Sequence, residues 1–298
     1  MAADGNLLWI SDGGAKTMVW VLDLTTGDTV ASFLRVGNGP GESRPVIDIK
    51  LEGDRIDLFS RSMVPDLFQG NTDSILKSNG KTLKPIHRFS PGTDRLLRLS
   101  DTTFLTSGSF EEGRFRWINT LHPDSVIYTG TFADHWSEER SIPTAAKNRF
   151  HSARLFRHSG NNLIAVSTPY VLSLFKPSVP QGVEWVKDTL LAEYQYDYQN
   201  EGMIRRSKKR EHIVNGSSTA TANDHHIYLL FDTRTGPTSN DDTYYPLIQV
   251  YDWNLNHVRN LDPGCKLSAL TVDANDRYLY ALTDLGNDNG PQIVRVAL

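Results

Sequence analysis

Leu7-Leu8-Trp9-Ile10-Ser11-Asp12 decides the fold, because it recurs. The same pattern, a short apolar run closing on Ser, Thr or Asp, returns as Ile56-Asp57-Leu58-Phe59-Ser60 and Phe104-Leu105-Thr106-Ser107. It returns again as Leu163-Ile164-Ala165-Val166-Ser167, Ile227-Tyr228-Leu229-Leu230-Phe231-Asp232 and Leu279-Tyr280-Ala281-Leu282-Thr283-Asp284. Most copies lie about 50 residues apart, close to the ~40–50 residues of a four-stranded propeller blade, and two spacings near 60 leave room for longer loops. Six copies predict an all-β chain: one six-bladed β-propeller domain over residues 1–298, with four-stranded antiparallel blades.

The flanking residues agree. Each copy follows a polar turn: Asp4-Gly5-Asn6, Glu52-Gly53-Asp54, Ser100-Asp101, Ser159–Asn162, Asn223-Asp224 and Asn275-Asp276. Gly, Asn and Asp tolerate the left-handed backbone that tight hairpins need. Innermost strands are expected at Val46–Leu51, Leu96–Leu99, Ala153–Phe156, Ser218–Ala222 and Leu267–Asp273. Third strands such as Val19–Asp23 and Ile248–Asp252 end on an aspartate that can accept hydrogen bonds from the next turn. Outer strands are expected at Thr29–Val36, Leu83–Phe89, Ser125–Phe132, Thr189–Tyr196 and His257–Leu261. Helical turns are expected only within Glu138–Phe150 and Glu201–Glu211.

The first blade lacks an inner strand in this reading, and the last lacks an outer one. Open sheet edges invite aggregation, so the missing strands are expected upstream of Met1, together with an export signal. Residues 1–6 carry neither a basic region nor an apolar signal stretch.

The 298 residues have a formal net charge of −4, with 39% hydrophobic and 22% charged residues. This is ordinary globular composition, and it gives no reason to expect a nucleic-acid partner. No apolar run approaches the ~20 residues that span a bilayer. The single cysteine, Cys265, excludes an internal disulfide. A monomer is expected.

Val36-Gly37-Asn38-Gly39-Pro40-Gly41-Glu42 is the most specific local motif. With the preceding Val19–Gly37 run it resembles the TolB-like six-bladed propeller lipoproteins of Bacteroidetes, in which a similar Gly-x-Gly-Pro-Gly-Glu follows the first blade. The resemblance is detailed over about 30 residues. It implies an exported protein, periplasmic or anchored to the outer membrane by a lipid, although no lipid-attachment cysteine stands near Met1. In physical terms the motif is a blade-to-blade connection: glycines permit positive φ, and Pro40 fixes one φ. It lacks the Lys and Ser/Thr of a phosphate-binding P-loop.

Propeller sites usually lie at the channel mouth. The loops entering the inner strands carry Glu42, Arg44, Arg95, Arg98, His151, Arg154, His212, Asn215 and Lys266. Arginines and histidines converging there would suit an anionic ligand. Glu42 and Asn215, with Asp94, offer the oxygen ligands calcium prefers, as in propeller lactonases, though in no recognised family order; no other cofactor is expected. Ser11-Asp12-Gly13-Gly14 is only an unrepeated fragment of the sialidase turn. No Gly-x-Ser-x-Gly elbow is present. A glycosidase would need two carboxylates ~5–9.5 Å apart, and the sequence cannot pair Glu184, Glu193 and Glu201.

The blander reading suits the remaining features. Adjacent strand residues His225 and His226 face opposite ways. Arg205–Arg210 reads as a solvated basic loop, and Trp117, Trp136, Trp185, Trp253, Tyr244 and Tyr245 as packing between blades. The leading expectation is a non-enzymatic binding or scaffold propeller of the bacterial envelope, recognising a protein or glycan. A calcium-dependent hydrolase and an anionic-ligand receptor are the alternatives.

Overall fold

A computed structural model of the chain describes residues 1–37, 42–60, 64–178, 182–194, 196–199, 203–206, 214–235, 245–283 and 292–298. Six antiparallel sheets follow one another as the blades of a propeller. Blade 1 contains β1 (Ala2–Asp4), β2 (Leu7–Ser11), β3 (Thr17–Asp23) and β4 (Thr29–Val36), with the short β5 (Glu42–Ser43) added parallel to β4. Blade 2 contains β6 (Val46–Glu52), β7 (Arg55–Ser60), β8 (Asp66–Asn71), the helix α1 (Thr72–Ser78) and β9 (Lys84–Arg88). Blade 3 contains β10 (Thr93–Arg98), β11 (Thr103–Gly108), β12 (Phe115–Asn119) and β13 (His122–Thr129).

A 3-10 turn (Ser137–Ser141) and α2 (Thr144–Phe150) lead into blade 4, made of β14 (Arg154–Arg157), β15 (Ile164–Ser167), β16 (Val171–Pro177) and β17 (Val183–Leu190). The hairpin of β18 (Tyr196–Gln199) and β19 (Met203–Arg206) precedes blade 5, which contains β20 (Val214–Ala222), β21 (Ile227–Thr235), β22 (Leu247–Tyr251) and β23 (His257–Leu261). Blade 6 is the three-stranded sheet β24 (Leu267–Val272), β25 (Tyr278–Thr283) and β26 (Gln292–Ala297).

The recurring apolar run is the second strand of every blade, and its neighbours explain its composition. Each second strand is buried on both faces, so polar alternation is suppressed. Trp9 of β2 faces blade 2 and packs with Ile56 and Leu58. Phe59, on the opposite face of β7, packs with Phe104 of blade 3. Leu105 then meets Ile164 and Val166 of blade 4, and Ala165 meets Leu229 of blade 5. Tyr228 meets Leu279 of blade 6. Finally Tyr280 packs with Leu8 and Ile10, which returns to blade 1 and closes the ring.

Several boundaries differ from expectation. The first blade is not short of an inner strand, because Ala2–Asp4 pairs with β2; three residues with no large apolar side chain gave no strand signal. Among the described residues blade 6 has no outer strand, as expected. Blade 4's outer strand is Val183–Leu190 rather than Thr189–Tyr196. The second expected helix is instead strand β19 over Met203–Arg206, and residues 207–211 lie outside the described ones. Helix α1 was not expected. Asn71 caps it by accepting from the Ser74 N–H, and Asn79, at φ 48°, ends it. Gly80 follows at φ +83°, where a Cβ would overlap the Phe33 ring of blade 1.

The expected turn chemistry is present. Asp23 Oδ1 accepts from Thr25 N (2.7 Å) and Asn6 Nδ2 (2.7 Å), and Asp252 Oδ1 accepts from Asn254 N and Asn256 N at 2.8 Å each. The turns between first and second strands also carry contacts from blade to blade. Asp101 in the blade 3 turn accepts from Arg55 of blade 2 at 2.7 Å. Asp224 of blade 5 accepts from the Ser159 N–H and hydroxyl of blade 4. Asp276 of blade 6 accepts from Tyr228 Oη (2.6 Å) and Asn223 Nδ2 (2.8 Å) of blade 5 and lies 2.7 Å from His226 Nδ1. Burial alone would raise the Asp276 pKa, but the Tyr228, Asn223 and His226 contacts outweigh it and hold it below the usual value. Asp224 is lowered against burial in the same way, mainly by Ser159.

Two stability predictions follow from these contacts. Because its folded pKa is depressed, Asp276 contributes stability that is complete above the unfolded carboxylate value of about 3.9 and disappears as pH falls through the folded one. Asparagine tolerates the residue's φ of 58°, so Asp276→Asn removes the charge without backbone strain. Urea unfolding should show a loss of about 1 kcal/mol at neutral pH that closes towards pH ~2. An undiminished gap there would show that the carboxylate charge contributes nothing. The second test concerns Arg98, which donates to both oxygens of Asp57 in blade 2 at 2.6 and 2.7 Å, with both side chains under 10% exposed. Arg98→Ala strands a buried carboxylate and should cost about 3–5 kcal/mol, whereas the pair Arg98→Met with Asp57→Leu should cost much less. Equal losses would refute this account of the pair.

Candidate functional site

The propeller has two ends: a loop end, where blade-to-blade loops enter the inner strands, and a turn end, where inner strands turn back into second strands. The residues expected to converge at the loop end are distributed differently. Glu42 stands in β5 at the outer edge of blade 1. Its carboxylate lies where a Cβ on Gly37 would be, so a side chain at position 37 would have to displace it. Glu42 and the exposed Arg44 line a recess of about 420 Å³ with Phe68, Pro85 and Arg88. Asn215 is in the inner strand of blade 5, and its amide donates to Asp232 at 3.1 Å. The structure therefore places the two proposed calcium ligands at opposite radial positions on different blades. Lys266 is exposed at the start of β24. His212 lies outside the described residues, as do residues 38–41 of the glycine-rich motif.

His151 follows α2 and is buried among Phe132, Phe150 and Tyr194, with ring centroids 5.0–5.4 Å away. Burial, reinforced by the Arg114 charge, lowers its pKa well below the ordinary imidazole value. It is a neutral member of an aromatic cluster that packs the blade 3–blade 4 connection onto Tyr170. Arg98 is the last residue of β10, at the turn end, in the buried pair with Asp57.

Of the expected residues, Arg95 and Arg154 do face the channel together. They lie close enough to Asp48 and Lys50, from the period-two charged face Asp48-Lys50-Glu52 of β6, for the charges to act on one another. Arg95 Nε is 3.9 Å from Asp48 Oδ2. Lys50 reaches past blade 3 to blade 4, where its ammonium donates to the Leu155 carbonyl at 3.3 Å and sits 4.9 Å from the Phe156 ring centroid. Burial lowers the Lys50 pKa, against the attraction of Asp48.

Below Lys50 the turn end opens into a cavity of about 380 Å³, lined by residues of blades 2 to 5 that include Glu52, Arg55, Asp57, Arg98, Phe156 and Arg157. Arg55 is held by Glu52 and Asp101, and Arg98 by Asp57. Arg157 instead donates to the Leu99 carbonyl (2.5 Å) and to Asn162 Oδ1 (3.2 Å). Lys50 and Arg157 thus give this mouth two cations bonded to neutral oxygens. Sequence reasoning missed Lys50, Arg55 and Arg157. The signal for Lys50 was present: charge repeating at alternate positions of a strand otherwise expected to be buried.

Among curated proteins none matches the sequence. Solved structures match in fold. The β-propeller domain of Cps50 (Swd1) from Myceliophthora thermophila is 10% identical, with a TM-score of 0.54 over 99% of this chain and 80% of that one. TolB from Acinetobacter baumannii is 10% identical, with a TM-score of 0.54 over 98% of this chain and 60% of that one. A protein of unknown function from Bacteroides thetaiotaomicron is 9% identical, with a TM-score of 0.53 over 98% and 67%. The sequence model of the TolB-like 6-blade propeller-like family matches residues 1–275, and the chain belongs to that family.

Proposed function

We propose that this chain is a non-enzymatic binding propeller of the bacterial cell envelope, and that it takes an acidic segment of a partner protein at the turn-end mouth. One observation carries the reading: the 380 Å³ cavity gathers turns of four blades around Lys50 and Arg157, two cations that no carboxylate among the described residues neutralises through a hydrogen bond. Concave sites lined by a few convergent polar groups are the usual form of a recognition pocket. Positive potential at such a mouth draws acidic partners and rejects basic ones. Phe156 supplies apolar area beside the charges. The envelope location is supported by the family and by the resemblance of the Val19–Gly37 run to exported propellers.

Photocrosslinking tests this directly. A photoreactive residue at Ser100, next to the carbonyl that Arg157 grips, should give a protein adduct of defined mass in envelope fractions. Arg157→Glu should abolish it. The same probe at Arg44, at the loop end, should give none. Adducts only from Arg44, adducts only with glycan, or none from either position would overturn the reading.

A further inference from the structure

The charges inside the channel, above the turn-end cavity, are unequally shared among the blades. The inner strands of blades 5 and 6 read Val-Asn-Gly-Ser-Ser-Thr-Ala-Thr-Ala and Leu-Ser-Ala-Leu-Thr-Val, without a charged residue. Those of blades 2, 3 and 4 supply Lys50, Arg95 and Arg154, with Asp48 as the carboxylate among them. Asp94, the one acid of β10, lines a separate space beside Ser107 and His151.

The three cations are poorly satisfied. Arg95 donates to the carbonyl of its neighbour Asp94 at 3.3 Å, and its enclosed Nε has no hydrogen-bond acceptor among the described residues. The Arg154 guanidinium has no hydrogen bond among the described residues, and its pKa is lowered by burial and then by the nearby Arg95 charge. Lys50 uses a backbone carbonyl. Like charges in a half-buried site repel and lose hydration, a cost that natural proteins offset with a counterion. All four side chains keep partial exposure, so solvent reaches them.

We propose that Arg95, Arg154 and Lys50 form a binding site for a small oxyanion, phosphate or carboxylate, in the channel between blades 2, 3 and 4. Two guanidinium forks can each bind an oxyanion through paired N–H groups. The ammonium closes the turn-end side, and the uncharged inner strands of blades 5 and 6 form the other half of the channel. Asp48 orients Arg95 and excludes a second anion. The site lies deeper than the partner surface at the mouth and shares Lys50 with it, whereas Arg95 and Arg154 belong to the channel alone and Arg157 to the mouth alone.

Calorimetric titration and thermal unfolding at constant ionic strength test the site, with inorganic phosphate, sulfate and succinate as probes against chloride. One of the three should bind with a stoichiometry of one and raise Tm saturably. Preference for phosphate or sulfate identifies a tetrahedral ligand, and preference for succinate a carboxylate. Arg95→Gln and Arg154→Gln should each weaken binding by about tenfold or more, Arg154→Lys should retain part of it, and Arg157→Gln at the mouth should leave it unchanged. Without added anion, Arg154→Gln should be at least as stable as the parent, because it relieves repulsion. If the three salts act alike and without saturation, if binding survives Arg154→Gln, or if that variant is markedly less stable without anion, the site does not exist as described. Photocrosslinking from Ser100 is unaffected by any of these results, so the two readings fail separately.

Discussion

Everything in this structure depends on the second strand of each blade being buried on both faces. A sheet standing radially in a ring has a neighbour on each side, and the second strand is far enough from the channel and from the rim to meet both. Each fully buried Leu, Ile or Phe contributes about 1.5–3 kcal/mol, and no second strand can keep its faces dry without its neighbours. The core is therefore six seams rather than one interior, and the blades are stable only together. The Tyr280, Leu8 and Ile10 seam has the same character as the others, although it joins the two ends of the chain.

Polar contacts then fix the seams in angle. Turn carboxylates such as Asp101, Asp224 and Asp276 take hydrogen bonds from the preceding blade, so each turn serves its own hairpin and the next seam at once. Arg98 and Asp57 do the same from within the seam between blades 2 and 3. Directional bonds at the turn end leave the loop end free to carry long connections, and the aromatic cluster of His151, Phe150, Tyr170 and Tyr194 packs one of them.

The fold was legible because burial on both faces writes an unbroken apolar run, the simplest pattern a sequence can carry. Boundaries failed where that signal was weak or displaced. Ala2–Asp4 is a strand made by pairing rather than by side chains. On β17, Trp185 and Val186 are about half exposed, so outer-strand residues looked like interior ones. Helix α1 could have been found from its ends, Asn71 to Ser74 and Asn79-Gly80, instead of from periodicity. The site was harder to read. β10 begins at Thr93 rather than Leu96, which puts Arg95 inside the channel and carries Arg98 to the opposite end. No local pattern reveals which end of a strand a side chain occupies until the strand's first residue is known. His151 looked like a channel residue because its loop was assumed to be open, whereas α2 and the aromatic rings close over it.

Blades 5 and 6 give the internal comparison that separates architecture from function. Their inner strands border the same channel without a charged residue and need no charge to hold the ring. Architecture therefore does not explain Lys50, Arg95 and Arg154, which stand half-buried against one carboxylate. Arg98, equally cationic and more deeply buried, is different: Asp57 accepts from its Nε and Nη2, the Asp101 carbonyl accepts from Nη1, and the pair is understood as a seam contact. The distinction between a cation matched by its own fold and one left for something else to match is what assigns chemistry to the channel of a propeller whose six seams would close without it.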